Sequence, residues 1–204
     1  MSDPKNIGAV ILAAGSSSRL GRPKQLVEYK GKTLLQHTID CVTDIGFNPS
    51  ILVLGANRDK ILNQTETQNI TVSGNSKWAE GIASSILYGL EESLRLNPSL
   101  QHILYLLSDQ PYVNQDLLKR LINSHLNGSH DITACTYKNN IGVPALFEMK
   151  FFPDLMTLKG DIGAKKIMIQ HRDRVHTISF EDGALDVDTE EDVSKLQETN
   201  TQIG

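Results

Sequence analysis

Three short apolar runs without polar alternation are the feature that most constrains the fold of this chain. They cover residues 7–14, 51–55 and 103–107. A strand that helices cover on both faces has this pattern, because neither face meets water. The runs therefore predict three central parallel strands in a sheet that lies between two layers of helices.

Helical patterns separate and follow these strands. Apolar residues recur on one helical face from Leu34 to Ile45 and stop at Gly46, a residue type that commonly ends helices. A second helix is predicted over residues 81–96. Asn114 is predicted to cap a third helix, whose apolar side consists of Leu117, Leu118, Leu121, Ile122 and Leu126.

The second half of the chain carries weaker patterns. Strands are predicted at residues 132–136, 142–147 and 174–179, with a helix at residues 161–170 between the last two. Thr189 and the three acidic residues after it are typical of the start of a terminal helix.

Together these elements predict a single α/β domain over residues 1–204. The architecture is a three-layer α/β/α, Rossmann-like fold with a mostly parallel central sheet, and residues 199–204 are expected to form a frayed tail. In such sheets ligands bind beyond the carboxyl ends of the strands.

Composition and charge narrow the location and the partners. The chain is 39% hydrophobic and 22% charged, no apolar run approaches the roughly 20 residues of a membrane span, and the first residues do not resemble a signal peptide. Its two cysteines, Cys41 and Cys135, are far apart and fit reduced thiols in the core. The net charge of -4 argues against a nucleic-acid surface. We therefore expect a cytoplasmic protein with neither a membrane nor a nucleic-acid partner.

The segment LAAGSSSRLGRPK at residues 12–24 directly follows the first predicted strand. Small residues let the backbone approach a ligand closely, so that successive amides can point at phosphate oxygens. Arg19 and Lys24 add two positive charges, whereas the spacing fits neither GxGxxG nor the P-loop. The segment predicts a triphosphate-binding loop; the alternative is a mobile loop with two solvated charges.

Carboxylates are predicted at the same edge of the sheet. Asp109 ends the third apolar run, and Asp186 and Asp188 share one face of a predicted strand by its period of two. A carboxylate there suits Mg²⁺, which prefers hard oxygen ligands. The alternatives are a strand-ending turn at Asp109 and a helix charge or cap at Asp188. The six histidines show neither HxxxH nor HxH spacing, which argues against a catalytic zinc.

At this point the sequence resembles a known family. LAAGSSSRLGRPKQL is similar to the LAAGxSxRMGxPK signature of the molybdenum-cofactor cytidylyltransferases and their close relatives, the MobA-like nucleotidyltransferases, and only Leu20 departs, where the family usually has Met. Further family-like segments follow in the usual order: NSKWAEGIASSI at 75–86, SDQP at 108–111, GVPALF at 142–147, LKGDIGAKK at 158–166 and DVDTEED at 186–192. The resemblance spans nearly the whole chain.

The resemblance implies the nucleotide-diphospho-sugar transferase type of fold and Mg²⁺-dependent transfer of CMP from CTP to the terminal phosphate of molybdopterin, with release of pyrophosphate. It implies Asp109 and Asp188 as metal ligands, with Asp186 as the fallback, Arg19 at the pyrophosphate and Lys24 at the α-phosphate. The nucleotide-binding residues that it implies are Leu12, Ala13, Ala14, Gly15, Ser16, Ser18, Arg19, Lys24, Gly81, Ser84 and Asp109.

Fewer residues indicate which base and which acceptor the protein uses. Guanylyl-transferring relatives usually have Gly-Gly where this chain has Ala13-Ala14, and the extra methyl groups favour CTP over GTP. The alternative acceptors are sugar, polyol or isoprenoid-precursor phosphates, and a non-catalytic chaperone of the molybdenum cofactor is a third possibility. A molybdoenzyme client is a further expected partner. Trp78 either stacks on a ring or packs under a loop, and Asp161 fits an ordinary helix cap.

Overall fold

The computed structural model describes residues 6–201, with side chains as far as Glu198. The strands within this range are β1 (Ile7–Ala13), β2 (Glu28–Tyr29), β3 (Lys32–Thr33), β4 (Ser50–Leu54), β5 (Thr71–Gly74), β6 (His102–Leu107), β7 (Ile132–Tyr137), β8 (Asn140–Glu148) and β9 (Val175–Ser179). The helices are α1 (Leu34–Ile45), α2 (Arg58–Leu62), α3 (Ile82–Leu96), α4 (Gln115–Asn127), α5 (Phe152–Met156), α6 (Lys165–Gln170) and α7 (Glu190–Thr201).

Seven of these strands form one sheet in the order β5-β4-β1-β6-β8-β7-β9. β1 lies between β4 and β6 and is parallel to both, whereas β8 runs antiparallel to β6 and β7. Every residue of β1 and β4 is buried, as their unbroken apolar sequences predicted. The mostly parallel sheet of a Rossmann-like fold is therefore confirmed.

Two helical layers cover the sheet. On one face, α1 and α4 pack on the core around Leu52 and Leu106, and on the other face, α3, α5 and α6 pack around Val53 and Tyr105. The predicted caps are present: Gly46 ends α1 with a left-handed φ of 81°, and the Asn114 side chain accepts the amide of Leu117 at the start of α4. The helices α1 and α4 thus begin and end where the sequence predicted, and α3 begins one residue later than predicted.

The predicted helix at residues 161–170 is wrong in its first part. The helix α6 begins only at Lys165, and the Asp161 side chain caps no helix. Gly160 has a left-handed φ of 61°, and its carbonyl accepts the amide of Ala83 at the start of α3. Residues 160–164 therefore form a turn that is fastened to another helix.

The predicted strand that Asp186 and Asp188 were expected to share is also wrong. Residues 185–188 pair with no strand among the described residues, and the amide of Val187 donates instead to the carbonyl of Asp109. Val187 is fully buried, Asp186 is exposed and Asp188 is half-buried. The segment runs past the edge of the sheet because one backbone contact and one apolar anchor hold it there.

The predicted terminal helix is α7. Thr189 and Asp192 form a reciprocal cap, in which each side chain accepts the backbone amide of the other. Of the predicted frayed tail, residues 199–201 continue α7, and residues 202–204 lie outside the described residues. Among the helices of the described range, none combines the length and the apolar character that crossing a bilayer requires.

Both cysteines are free. Cys135 is buried in the core, where burial raises the pKa of its thiol to about 12. Cys41 is half-buried, and burial raises the pKa of its thiol as well. Thiols that ionise so weakly are poor nucleophiles, which fits packed residues.

The buried histidine pair that joins α4 to the sheet predicts a pH-dependent stability. His125 contacts Thr133 on β7 and His102 on β6, and burial followed by the neighbouring His102 lowers the pKa of His125 from 6.5 to about 4. Between these values the unfolded chain binds a proton that the folded chain excludes, so the free energy of unfolding falls as the pH drops from 6.5 towards 4, by roughly 3 kcal/mol.

Urea unfolding at several pH values measures this slope. We expect His125→Gln to flatten it and the exposed control His130→Gln to leave it unchanged. An equal slope in the wild type and in His125→Gln would assign the effect to other groups.

Candidate active site

A cavity of about 500 Å³ lies beyond the carboxyl ends of β1 and β6, where the fold predicts a ligand. One wall is the loop after β1, another is the end of β6 at Asp109, and a third is the segment before and within the first turn of α3. Of the predicted nucleotide-binding residues, the structure brings together Leu12, Ala13, Ala14, Gly15, Ser16, Arg19, Lys24, Gly81 and Asp109 around this cavity.

The loop after β1 presents free backbone donors. Among the described residues, the amides of residues 15–19 donate to no acceptor, whereas those of Leu20 and Gly21 both donate to the carbonyl of Ser17. Ser17 has a left-handed φ of 56°, which turns the chain at this point. Consecutive free amides beside a cavity form a site for anions such as phosphate groups. The arrangement agrees with the anion-binding loop that the small residues predicted.

Two polar side chains hold this loop in place. Gln25, which is only 1% exposed, donates from its amide to the carbonyls of Ala13, at 2.9 Å, and Gly15, at 3.4 Å. The Ser17 hydroxyl accepts the amide of Lys24 at 3.1 Å. The sequence analysis assigned no role to Gln25. A buried polar side chain indicates a structural or functional role, but the burial of Gln25 is not visible in the sequence.

The Lys24 ammonium lies between two carboxylates from distant parts of the chain. Its Nζ contacts Asp109 Oδ2 and, at 2.9 Å, Asp188 Oδ1. Burial alone would lower the pKa of Lys24, but the two aspartates outweigh it and the pKa is raised. Arg19 donates to the second oxygen of Asp188 at 2.6 Å. Four of the predicted site residues therefore form one connected charge cluster.

Asp188, and not its neighbour Asp186, completes this cluster. Burial, followed by the negative charge of Asp109, raises the pKa of Asp186 to about 6, so this carboxyl keeps its proton more readily than an ordinary aspartic acid. Asp188 is oriented by Asp192, whose carboxylate accepts the Asp188 amide at 3.2 Å. Asp188 is thus the better placed second acidic ligand.

An apolar cluster and an ion pair fasten the C-terminal segment onto the loop. Leu20 from the loop packs in one cluster with Val187, Val193 and other apolar residues, and Arg22 forms a two-pronged pair with Glu190 at 2.9 and 3.0 Å. The Arg22 pair is largely exposed and contributes little stability by itself. The buried Leu20 side chain, at the only position that departs from the family signature, is the main anchor.

The opposite wall of the cavity is built on two close backbone approaches. A Cβ at Gly81 would lie 2.3 Å from the Gly160 carbonyl group, and a Cβ at Gly55 would lie 2.5 Å from the Cβ of Trp78. Only glycine fits at either place. Trp78 therefore packs against the backbone, as one of its two interpretations predicted, and it also lines the cavity; stacking on a ring stays a prediction.

Two predicted residues do not line the cavity. Ser84 donates to the carbonyl of Gly81 and accepts the side-chain amide of Asn75, whereas Ser85, the next residue, lines the cavity. Ser18 is exposed beside the loop but outside the cavity lining. Successive residues of a helix point about 100° apart, so Ser85 faces the cavity while the Ser84 hydroxyl bonds within the segment that leads into α3.

The carboxylates fit a divalent cation. Asp109 is buried, and its Oδ1 atom has no hydrogen-bond partner among the described residues, which is costly unless a ligand or ion supplies one. In the described part of the chain, no group of three metal-binding side chains occurs. A pair of carboxylates suits Mg²⁺, because this ion is commonly bound by one or two carboxylates together with substrate phosphates. Asp109 and Asp188 are the residues that would hold it.

Fold and site together describe an α/β protein with a candidate anion-binding cavity at the carboxyl edge of a mostly parallel sheet. Comparison with known proteins gives the family: residues 9–175 match the MobA-like NTP transferase domain. The chain therefore belongs to the MobA-like NTP transferase family, and it is a nucleotidyltransferase of that family.

Three relatives illustrate the range of similar proteins. Nicotine blue oxidoreductase of Paenarthrobacter nicotinovorans is 31% identical over 93% of this chain and 96% of its own length. The crystal structure of Rv0371c from Mycobacterium tuberculosis H37Rv is 32% identical over 96% of this chain and 99% of its own, with a TM-score of 0.81. Its complex with manganese is 31% identical over 94% and 98%, with a TM-score of 0.78. The Bifunctional protein GlmU of Desulfitobacterium hafniense (strain Y51) is 27% identical over 66% of this chain but only 29% of its own length.

Loss of the Gln25 amide is predicted to weaken triphosphate binding without unfolding the protein. Gln25→Ala removes both hydrogen bonds that hold the loop carbonyls, which costs about 1 kcal/mol each, and we expect the Kd for a nucleoside triphosphate to rise by roughly tenfold or more. Calorimetric titration measures the Kd, and the exposed Gln170→Ala is the control. Unchanged binding by Gln25→Ala would show that the loop keeps its shape without this side chain.

Proposed function

We propose that the protein transfers CMP from CTP to the terminal phosphate of molybdopterin, with Mg²⁺ as the metal and pyrophosphate as the leaving group. One observation carries the proposal: the Lys24 ammonium contacts Asp109 and Asp188 at once, beside a loop of free amides. Such a cluster of cations, acids and amides suits a metal-bound triphosphate. Family membership and the manganese complex of Rv0371c support it.

The reaction needs positioning and charge neutralisation more than it needs a base. The attacking phosphate oxygen is already anionic, so no activated serine or cysteine is required. The amides of the loop and the Arg19 guanidinium bind the phosphates that leave, and Lys24 neutralises charge at the α-phosphate. Mg²⁺ bound to Asp109 and Asp188 supplies Lewis-acid stabilisation of the phosphate oxygens.

Cytosine is the proposed base because two alanines stand at the end of β1 and the start of the loop after it, beside the nucleotide cavity. Ala13 and Ala14 are nearly fully buried and line the nucleotide cavity, and the methyl group of Ala14, on the α3 side of the sheet, takes volume that a glycine would leave free. The smaller pyrimidine ring suits the narrower cavity. A preference for CTP follows from this fit.

Two other functions have specific support. The first is transfer to a sugar, polyol or isoprenoid-precursor phosphate. The similarity to GlmU supports this alternative, because proteins of one fold can differ in their acceptor cavities. The name of the relative at 31% identity, an oxidoreductase, makes an oxidation–reduction reaction the second candidate activity. The acidic pair around Lys24 favours nucleotidyl transfer, because hydride transfer makes no use of it.

Removal of either acidic ligand is predicted to abolish turnover. We expect Asp109→Asn and Asp188→Asn to reduce kcat by at least about 100-fold, since each removes a carboxylate that would hold the metal, and the metal would neutralise charge on the phosphates. Pyrophosphate release with CTP, Mg²⁺ and molybdenum cofactor measures the rate. Asp59→Asn, on the exposed surface of α2, is the matched control. Near-normal turnover of Asp109→Asn would refute the proposed metal site.

A panel of substrates separates the candidate functions. With molybdenum cofactor as acceptor, we expect dinucleotide product from CTP at a kcat/KM at least about tenfold above that with GTP. A clear preference for GTP would refute the base assignment, and product only with sugar or polyol phosphates would refute the acceptor. Tight cofactor binding without pyrophosphate release would indicate a chaperone. Oxidation of NADH or NADPH with nicotine blue, without nucleotidyl transfer, would establish the redox alternative.

A further inference from the structure

A second cavity of about 360 Å³ adjoins the nucleotide cavity. The two cavities share Leu12, Ile82 and Leu107, so one molecule can extend from one into the other. Asp109 and Lys24 line only the nucleotide cavity, whereas Lys165 and Asn140 line only the second one. A compound that reacts beside Lys24 can therefore reach the second cavity with its remaining atoms.

The walls of the second cavity are mainly apolar. They are formed by Ile82, Ile86, Leu107, Val143, Ala164 and Met168, together with the ring of Tyr105. Hydroxyl groups of a sugar or a polyol would lose their water there and find few partners, which costs about 1–3 kcal/mol for each group. The cavity thus favours an acceptor with a flat or apolar body.

Lys165 places a positive charge among the apolar residues that line the second cavity. Lys165 Nζ donates to Asn140 Oδ1 at 3.1 Å, and no carboxylate pairs with Lys165 in the part of the chain that the structure describes. Asn140 begins β8 and Lys165 begins α6, so two separate elements bring the pair together. Lys165 and Lys166 are both exposed, but Lys166 lines neither cavity.

Tyr137 forms a further polar point of the same cavity. Its hydroxyl lies 2.0 Å from the place that a Cβ on Gly142 would occupy, so a glycine is needed for the ring to lie there. Tyr137 and Asn140 belong to the hairpin between β7 and β8, which extends beyond the sheet edge. Both residues line the second cavity, and the Asn140 side chain is the one that contacts Lys165.

We propose that the second cavity binds the body of the acceptor and that Lys165, positioned by Asn140, binds an anionic group of the acceptor other than its reacting phosphate. This inference rests on the proposed nucleotidyl transfer. The reacting phosphate must lie beside Lys24, which leaves Lys165 for a second acidic group. The acceptor class is thus a phosphorylated, flat or apolar molecule with an additional negative charge, and Lys165 determines the specificity for it.

Direct binding of two pterin probes tests the inference without turnover. The probes are 6-carboxypterin, which is anionic, and 6-hydroxymethylpterin, which is neutral; equilibrium dialysis in the presence of CTP and Mg²⁺ gives the Kd of each. We expect the wild type and Lys166→Gln to bind the anionic probe at least about tenfold more tightly. Lys165→Gln should reduce this preference to about one, and Lys165→Arg should restore most of it.

Nucleotide binding serves as the internal control. Quenching of Trp78, the only tryptophan of the chain, which lines the nucleotide cavity, should give the same Kd for CTP in the wild type and in Lys165→Gln. The same anionic preference in Lys165→Gln as in the wild type, or no binding of either probe by the wild type, overturns the inference.

Transfer assays separate this inference from the proposed function. A wild type that transfers no CMP, yet shows a Lys165-dependent preference for the anionic probe, refutes the transfer reaction and keeps the binding site. A Lys165→Gln variant that transfers CMP with an unchanged KM for molybdenum cofactor refutes the role of Lys165 and keeps the transfer reaction. The expected result is a KM raised by about tenfold with an unchanged kcat.

Discussion

The contact of Lys24 with Asp109 and Asp188 is the interaction on which the site depends. It joins the loop after β1, the end of β6 and the segment before α7, which are far apart in sequence. Each of these charges would be unfavourable in a partly buried position without the others, because an unpaired charge loses its hydration. The cluster therefore exists only in the folded chain. When a metal and a triphosphate bind, the two carboxylates can exchange the ammonium for the metal, and the ammonium can exchange a carboxylate for a phosphate.

The packing around this cluster explains why it forms at one place. Asp109 is fixed because it ends a fully covered central strand, and Lys24 is fixed because Gln25 and Ser17 hold the loop that carries it. Asp188 has no strand to position it. Its place depends on the burial of Val187 and on the amide contact with Asp192. The C-terminal segment is thus a structural part of the site.

The sequence predicts those features that depend on local patterns. Unbroken apolar runs identified the central strands, and a helical stripe that ends at Gly46 identified α1 to the residue. The loop signature placed Arg19 and Lys24 in the cavity or beside it. These predictions succeed because burial on both faces and helix caps leave their mark within a few neighbouring residues.

Features that depend on contacts between distant segments were not predictable. The turn at residues 160–164 replaces a helical turn because Gly160 binds the start of α3 and faces Gly81, and neither contact appears in a local pattern. The role of Gln25 and the pairing of Lys165 with Asn140 likewise become visible only in the three-dimensional structure. The hydrogen bonds of Ser84 with Asn75 and Gly81, which leave Ser85 to line the cavity, also join segments whose contact no local pattern shows.

A crystal structure with Mn²⁺ and a CTP analogue whose α–β bridge is a methylene group tests the shared site most directly, because manganese is located by its anomalous scattering. The account predicts one manganese peak in contact with the carboxylates of Asp109 and Asp188, and phosphate oxygens on the amides of residues 15–19. A triphosphate that binds elsewhere, or a metal that contacts neither aspartate, would contradict it.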